Sequence, residues 1–314
     1  MISRRFIETN AVRLSVLEAG TGPLVLLLHG WPQTASSWRH QLSAIAAAGF
    51  HVLAPDLRGT GKSDAPESIE AYSMSTIVAD VIGLIDACGA KDAVIIGHDW
   101  GANTAWTCAA LHPTRVRAVA GLSVPYLGRA PAPPTELFAQ AFAGKWFYVS
   151  YFQTPGVAEA ELEADVERTL RVTFAGTPGF DLTSPIVQAR KPGDGFLTGA
   201  PTPTVLPSWL DESELRTLVK DFEHSGFRGG LNRYRNLDRD WRELELGAID
   251  VPALYLVGER DPGRGFTPIE PMQALVPKLE PIVVIPGAGH WINEEAPEAV
   301  TQALGRFISQ NSRR

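Results

Sequence analysis

The 314-residue sequence predicts an α/β fold, a mostly parallel central sheet flanked by helices and interrupted by an inserted helical segment. Two observations predict it. Apolar, strand-like runs alternate with helical stretches in the first third of the chain and again near its end. Between them, from about residue 135 to residue 245, the strand signal nearly disappears and helices and loops take over.

In chain order, residues 6–9 and 12–18 read as two short strands joined at Asn10, a hairpin at the sheet edge. Residues 24–28 are continuously apolar, as a strand buried on both faces should be, and residues 52–54 form a second such run. Residues 74–87 place Ile77, Val78, Val81, Ile82 and Ile85 on one helical face. A strand at 93–96, an Ala-rich helix at 102–110 and a strand at 118–122 follow, an order that implies right-handed βαβ units. Gly128-Arg129-Ala130-Pro131-Ala132-Pro133-Pro134 then has the composition of a linker. In the insertion, residues 162–172 are amphipathic, 176–207 are rich in Gly, Pro and Thr, and 215–224 are helical. Strands return at 253–257 and 282–285, and the last helix covers 298–308. The chain thus divides into a core of residues 1–128 and 246–314 and a helical lid of residues 129–245. Such a lid is expected over the carboxyl ends of the strands, where these sheets bind ligands.

Composition narrows the function classes. Hydrophobic residues make up 45% and charged residues 20%, enough to bury a large core. The net charge of -7 is spread without acidic or basic blocks, which argues against nucleic acid or an anionic membrane as the main partner. Cys88 and Cys108 fall in helical patterns and read as small core residues, not as a disulfide framework. The seven histidines form no His-Glu-x-x-His motif and the cysteines no Cys-x-x-Cys, so neither a metal nor another cofactor is expected. The opening Met1-Ile2-Ser3-Arg4-Arg5 leads directly into strand-like sequence without an apolar signal region. No apolar run is long enough to span a bilayer, so membrane insertion is not expected and a cytoplasmic location is.

The chemistry concentrates in Gly97-His98-Asp99-Trp100-Gly101, between the strand at 93–96 and the helix at 102–110. Strand, glycine-framed turn and helix form the context of a nucleophile elbow, in which serine is the usual central residue. Aspartate there is already ionised at neutral pH and can attack a saturated carbon, forming an alkyl ester, without a base to activate it. Hydrolysis of that ester needs a base for water. His290, in Gly287-Ala288-Gly289-His290-Trp291 after the strand at 282–285, is the candidate. Asp261, in Gly258-Glu259-Arg260-Asp261, would hold the imidazole in one tautomer and stabilise the imidazolium. His29-Gly30-Trp31-Pro32 follows another strand, and the backbone N–H groups of Trp31 and Trp100 would form the oxyanion hole for water attack on the Asp99 carboxyl carbon. Taken singly, Asp261 reads as an ordinary turn residue and His290 as an ordinary histidine; their order and strand-end context make the constellation. His29 and His98 read as structural residues that hold their turns, whereas His40, His51, His112 and His224 carry no motif.

These motifs resemble the soluble epoxide hydrolase branch of the α/β-hydrolase fold family over nearly the whole chain. His29-Gly30-Trp31-Pro32-Gln33 with Ser37-Trp38-Arg39 is similar to the family's oxyanion segment. Asp56-Leu57-Arg58-Gly59-Thr60-Gly61-Lys62-Ser63-Asp64 is similar to the loop after its next strand. In the insertion, Tyr151-Phe152-Gln153-Thr154-Pro155-Gly156-Val157-Ala158-Glu159 and Ser225-Gly226-Phe227-Arg228-Gly229-Gly230-Leu231-Asn232-Arg233-Tyr234-Arg235-Asn236 look like lid segments of the plant and mammalian enzymes. The resemblance implies that two lid tyrosines, at Tyr148 and Tyr234, donate hydrogen bonds to the epoxide oxygen. Ring opening develops an alkoxide, which leaves poorly unless it is hydrogen-bonded or protonated. Tyr151 competes with Tyr148, because residues three apart share a helix face.

The expected reaction is hydrolysis of a small-molecule epoxide to a vicinal diol, with water as co-substrate. Trp31, Trp100, Phe152 and Trp291 are candidate substrate-binding residues, and Trp146 and Phe147 add to an aromatic lining that suits a hydrophobic epoxide, fatty or aryl. A homodimer is compatible with this reading. The first alternative is a haloalkane or haloacid dehalogenase of the same fold. Its halide donors are poorly matched, since Trp31 stands where the haloalkane pattern has Asn and Trp100 where the fluoroacetate type has Arg. A non-catalytic receptor on the same scaffold is the second alternative.

Overall fold

The computed structural model of the chain describes residues 1–176, 179–265 and 269–312. The chain forms two compact units, one of Met1–Arg58, Met74–Arg129 and Glu245–Arg314 and the other of Gly59–Ser73 and Ala130–Leu244.

The first unit holds an eight-stranded sheet of β1 (Ser3–Thr9), β2 (Val12–Ala19), β3 (Leu24–Leu28), β4 (His51–Pro55), β5 (Ala93–His98), β6 (Val116–Leu122), β7 (Ala253–Gly258) and β8 (Val283–Ile285). Their order across the sheet is β1-β2-β4-β3-β5-β6-β7-β8. β1 with β2 and β2 with β4 are antiparallel, and every other pair is parallel. Asn10 and Ala11 both have positive φ, 45° and 59°, the conformation of a two-residue primed hairpin turn. β1 begins three residues earlier than its apolar pattern suggests, because Ser3, Arg4 and Arg5 pair with Glu18, Leu17 and Val16 on an exposed edge where polar side chains are tolerated. The central strands β3, β5 and β7 are buried along their whole length. Alternate residues, among them Val25, Leu27, Val94, Ile96, Leu254 and Leu256, share one core cluster with Leu42, Ile45, Leu304 and Phe307 of the helices Arg39–Ala47 and Pro297–Asn311. The helices Met74–Ala87 and Trp100–Leu111 also pack in this unit, as the periodicity predicts.

After β3 the chain moves to β4 on one side, and β5 then inserts on the other side of β3. The carboxyl ends of β3 and β5 therefore flank the point where winding reverses, which leaves a crevice for ligands in sheets of this kind. Among the described residues no helix is long and apolar enough to cross a membrane. Both cysteines are free. Cys108 is a small core residue, but Cys88 lies just past its helix and is half-buried, with the Arg5 guanidinium 3.8 Å from its sulfur.

The second unit is helical. The single amphipathic stretch expected at residues 162–172 is two helices, Val157–Glu163 and Val166–Ala175. Asp165 breaks it by accepting the Arg168 N–H at 2.9 Å, an N-cap that starts a new helix where hydrophobic periodicity alone runs on. The helix Glu212–Ser225 starts at a capping box, with Asp211 accepting from Ser213 and Glu214 while Glu214 accepts from Asp211. Residues 59–73, which follow the first-unit loop in sequence, group with these helices. Asn236 Nδ2 donates to the Ile69 carbonyl at 2.6 Å, and Gly229 packs so closely that a Cβ would lie 2.4 Å from the Gly59 oxygen. Of the Gly/Pro/Thr-rich stretch 176–207, residues 177–178 lie outside the described residues; the remainder includes a short helix, Pro185–Gln188.

Candidate active site

Asp99 follows β5 as an elbow residue, with φ 54° and ψ −119°. This region is rarely adopted by a side-chain-bearing residue, and the strain persists only because the surroundings hold it. The Asp99 N–H donates to the Leu122 carbonyl at 3.2 Å, and its own carbonyl accepts from Ala102 and Asn103. Gly97 and Gly101 permit the turn, since a Cβ on Gly97 would lie 1.9 Å from the Gly101 oxygen. Gly30 is equally constrained: a Cβ there would sit 2.5 Å from Asp99 Oδ1. The chain after β3 is thereby drawn against the aspartate, and the Trp31 N–H donates to Asp99 Oδ1 at 2.8 Å. The Trp31–Pro32 peptide is cis.

The other carboxylate oxygen, Asp99 Oδ2, faces His290 Nε2 at 3.8 Å. On the far side of the ring, Nδ1 donates to Asp261 Oδ2 at 3.1 Å, and Asp261 Oδ1 accepts the Gly263 N–H at 2.8 Å. The Asp261 side chain is completely buried, whereas Asp99 and His290 keep 18% and 15% of theirs exposed. A bound molecule can therefore reach the Asp99 carboxylate and the His290 ring but not Asp261.

Charge follows this geometry. Burial pushes the Asp99 carboxyl up, but the charge of His290 3.8 Å away, with a smaller contribution from the Trp31 N–H, outweighs it and holds Asp99 below the usual carboxylate range. Asp261 is likewise held down against burial, chiefly by the charge of His290. Burial would lower His290, yet Asp261 and then Asp99 raise it to about 10. The resting site is an imidazolium between two carboxylates. The N-terminus of the helix Trp100–Leu111 adds a positive potential beside Asp99.

His29 and His98 are completely buried and hold turns. His29 Nε2 accepts the Leu57 N–H at 2.9 Å, so Nδ1, 2.8 Å from the Gly30 carbonyl, carries the ring hydrogen. His98 Nε2 lies 2.8 Å from the His290 carbonyl, which can only accept. Burial, reinforced by the charge of His290, drives His98 down to about 4, so the ring is neutral and Nδ1 must accept. The Gln33 amide, 3.0 Å away, then presents its nitrogen to Nδ1, which also satisfies an amide nitrogen that the opposite orientation leaves buried without a partner.

Several residues acquire a place here that their sequence context did not suggest. Glu295 accepts from the N–H groups of Gly289 (2.6 Å) and Trp291 (2.8 Å), bracketing His290. Ser123 donates its hydroxyl to the His290 carbonyl at 2.8 Å, and Gln33 supports His98. Only Gln33 had a signal, its place in the His29–Gln33 motif.

Tyr148, Tyr234 and Phe152 belong to the helical unit. The rings of Tyr148, on the helix Tyr148–Tyr151, and Tyr234, on the helix Arg228–Arg235, meet edge to face at 6.0 Å. The Tyr151 hydroxyl is committed elsewhere, donating to Glu161 Oε2 at 2.8 Å, and burial with this partner moves its pKa well up. Glu161 also accepts the Phe196 and Leu197 N–H groups, which fixes it against the tyrosine.

The aromatic residues expected to line substrate are buried: Trp31, Trp100 and Trp291 keep little exposed surface and Phe152 none. Phe152 lies in the helical unit among other aromatic rings. Its ring packs between Tyr148 and Tyr234, at 5.8 and 5.1 Å, and against Phe196 at 5.4 Å, so it supports the two tyrosine rings. Trp291 packs edge-on against the His290 ring at 4.9 Å.

The model of the alpha/beta hydrolase fold family matches residues 23–297. Epoxide hydrolase A of Mycobacterium tuberculosis (strain ATCC 25618 / H37Rv) is 46% identical over 313 residues, covering 98% of this chain and 97% of its own. Epoxide hydrolase 3 of Siraitia grosvenorii is 37% identical, with 97% of each chain covered. The crystal structure of epoxide hydrolase A from Mycobacterium thermoresistibile superposes with a TM-score of 0.94 at 45% identity, covering 98% of both chains. With its eight-stranded sheet and aspartate elbow, the chain belongs to the α/β-hydrolase fold family, in its epoxide hydrolase branch.

Proposed function

We propose that this chain hydrolyses epoxides to vicinal diols through a covalent ester on Asp99. One observation carries the reading: the Asp99 carboxylate is divided between two tasks. Oδ1 is held by the Trp31 N–H, whereas Oδ2 faces the His290 ring across 3.8 Å. Oδ2 is the nucleophile. It bonds to an epoxide carbon as the carbon–oxygen bond of the ring breaks, and the departing oxygen takes a proton from Tyr148 or Tyr234. The Tyr148–Tyr234 ring contact supports their joint assignment, and the Glu161 bond argues against Tyr151.

Ester formation removes the charge of Asp99 and, with it, part of what holds the proton on His290. The ring can then deprotonate and act as base. Water attacks the Asp99 carboxyl carbon and gives its proton to Nε2, and Asp261 stabilises the imidazolium. Charge accumulates on Oδ1, where the Trp31 N–H already points and where the Trp100 N–H completes the oxyanion hole in this reading. Collapse breaks the bond between the carboxyl carbon and Oδ2, which takes a proton from the His290 ring and leaves in the diol; the second water proton, on the new Asp99 carboxyl, returns to Nε2, and the proton that the ring gave up after ester formation restores the tyrosine. Tyr148, Tyr234, Trp31 and Trp100 have these roles only as part of the proposal, as do Asp99, Asp261 and His290.

A panel of aryl, aliphatic and fatty epoxides, assayed for diol beside haloalkanes assayed for halide release, tests it. Diol from at least one class, abolished in Asp99→Ala, is expected. Robust halide release with no epoxide turnover would overturn it in favour of a dehalogenase.

A further inference from the structure

The end of β6 connects the nucleophile, the histidine and its acid. Leu122, the last residue of β6, accepts the Asp99 N–H. Ser123, the next residue, has φ 67°, a left-handed backbone in which a serine is uncommon. It is held there on every side. Its N–H donates to the Leu256 carbonyl of β7 at 2.9 Å, and its carbonyl accepts the Tyr255 hydroxyl at 3.4 Å. The hydroxyl, in a residue only 5% exposed, donates to the His290 carbonyl at 2.8 Å. That carbonyl already has the His98 Nε2 hydrogen at the same distance, so it keeps a donor when the serine turns away. The hydroxyl has one proton and a second acceptor near it, the Asp261 carboxylate, which it helps to hold in the ionised form. A strained backbone retained to aim one hydroxyl at the His290 carbonyl, in the loop whose ring pairs with Asp261, points to a use for that hydroxyl.

We propose that Ser123 is a positioning residue for the hydrolytic half-reaction, its single hydroxyl proton shared between the His290 backbone carbonyl and the Asp261 carboxylate so that the histidine loop and its acid are held as one unit. For its kinetic readout this rests on the epoxide hydrolase reading above. The groups that titrate or carry charge around the pair are Asp99 and His98 at the end of β5, Tyr255 on β7, Arg264 in the turn after it, and Glu295 beside the loop.

Ser123→Ala and Ser123→Gly both remove the hydroxyl, but only glycine relieves the left-handed backbone. In single-turnover experiments both variants should form the alkyl-enzyme within about threefold of the parent rate and hydrolyse it about tenfold more slowly. Loss of a donor to Asp261 makes that carboxylate more basic, and a more basic partner holds the His290 proton more tightly. The acid limb of the hydrolysis step should therefore move up by about half a pH unit in both variants, and so should the His290 ring titration followed by NMR in the resting enzyme. A Ser123 that only shapes the corner would behave differently. Alanine and glycine would then diverge together with their thermal stability, both half-reactions would fall in parallel, and the His290 titration would stay in place; that pattern overturns the proposal. Parental hydrolysis with an unmoved titration overturns it as well. If the wild-type chain forms no alkyl-enzyme with any epoxide, the functional reading fails, and the NMR titration still decides the role of Ser123.

Discussion

The sheet unit and the helical unit hold the side chains proposed to react by different means. At the strand ends, each group of the Asp99–His290–Asp261 series is fixed by directional bonds: Trp31 to Asp99, His290 to Asp261, and His98, Ser123 and Glu295 to the backbone around His290. In the helical unit, the rings of Tyr148 and Tyr234 pack against each other and against Phe152, and the helix of Tyr234 is anchored by the half-buried Arg235–Glu159 ion pair at 2.6 Å. Directional bonds define atoms that must take and release protons. Packing defines where a phenol sits and leaves the shape around it open to change by substitution. Nucleophile and base should therefore tolerate almost no replacement, whereas the helical unit should tolerate changes that keep its hydroxyls in place.

The largest effect belongs to the nucleophile. Asp99→Ala should reduce diol formation by about 10⁴-fold or more, because the proposed mechanism passes the carbon through the Asp99 carboxylate. A residual rate within tenfold of the parent would move the chemistry to another residue. Next is His290→Gln, which should leave ester formation fast and slow its hydrolysis by about 10³-fold, so that the covalent enzyme accumulates. Equal loss of both half-reactions would instead make His290 part of the attack.

The electrostatics sharpen this separation. Asp99 is held below the usual carboxylate range, so ester formation should be flat through neutral pH. In the proposed mechanism His290, raised to about 10 while both carboxylates are charged, drops when esterification neutralises Asp99, and its neutral form serves as the base. Hydrolysis should therefore slow as pH falls, and the fraction of enzyme held as ester under steady turnover should rise between about pH 8 and about pH 6. An ester that accumulates on the alkaline side would reverse the assignment.

On the helical side, Tyr148→Phe and Tyr234→Phe should each slow ester formation by about 10²-fold with little effect on hydrolysis, and Tyr151→Phe should change it by no more than about threefold. Should Tyr151→Phe prove the damaging change, the proton donor would be the wrong tyrosine of the pair. The smallest effect on activity is expected from Arg235→Met. Removing one partner of this half-buried pair should cost about 2 kcal/mol of stability in denaturant titration while leaving the rate of ester formation within a few-fold at low temperature.

The same contrast explains what could be read from the chain. Asp99, Asp261 and His290 each follow a short apolar run, and a strand end followed by a turn is a local pattern. The eight-stranded sheet was legible for the same reason, apart from the polar start of β1, where pairing on an exposed edge needs no apolar residues. Ser123 and Glu295 carry no comparable mark. The partner that gives Ser123 its place lies 167 residues further along the chain, and strand-end serines are commonplace. The helical unit was legible mainly through its resemblance to known insertions. Periodicity did not show that Asp165 splits one helix into two, or that residues 59–73 join this unit through Asn236 and Gly229. Nor did spacing separate Tyr148 from Tyr151; the bond from the Tyr151 hydroxyl to Glu161 supports the proposed choice of Tyr148.

The central claim is that a protein carboxylate oxygen ends up in the product. A single turnover in ¹⁸O-labelled water, with enzyme in excess over epoxide, tests it most directly. The diol of that first turnover should be unlabelled, and mass spectrometry of the peptide containing Asp99 should show one ¹⁸O in its carboxylate. Labelled diol together with an unlabelled Asp99 peptide would mean that water attacks the epoxide directly, and the covalent mechanism would be wrong.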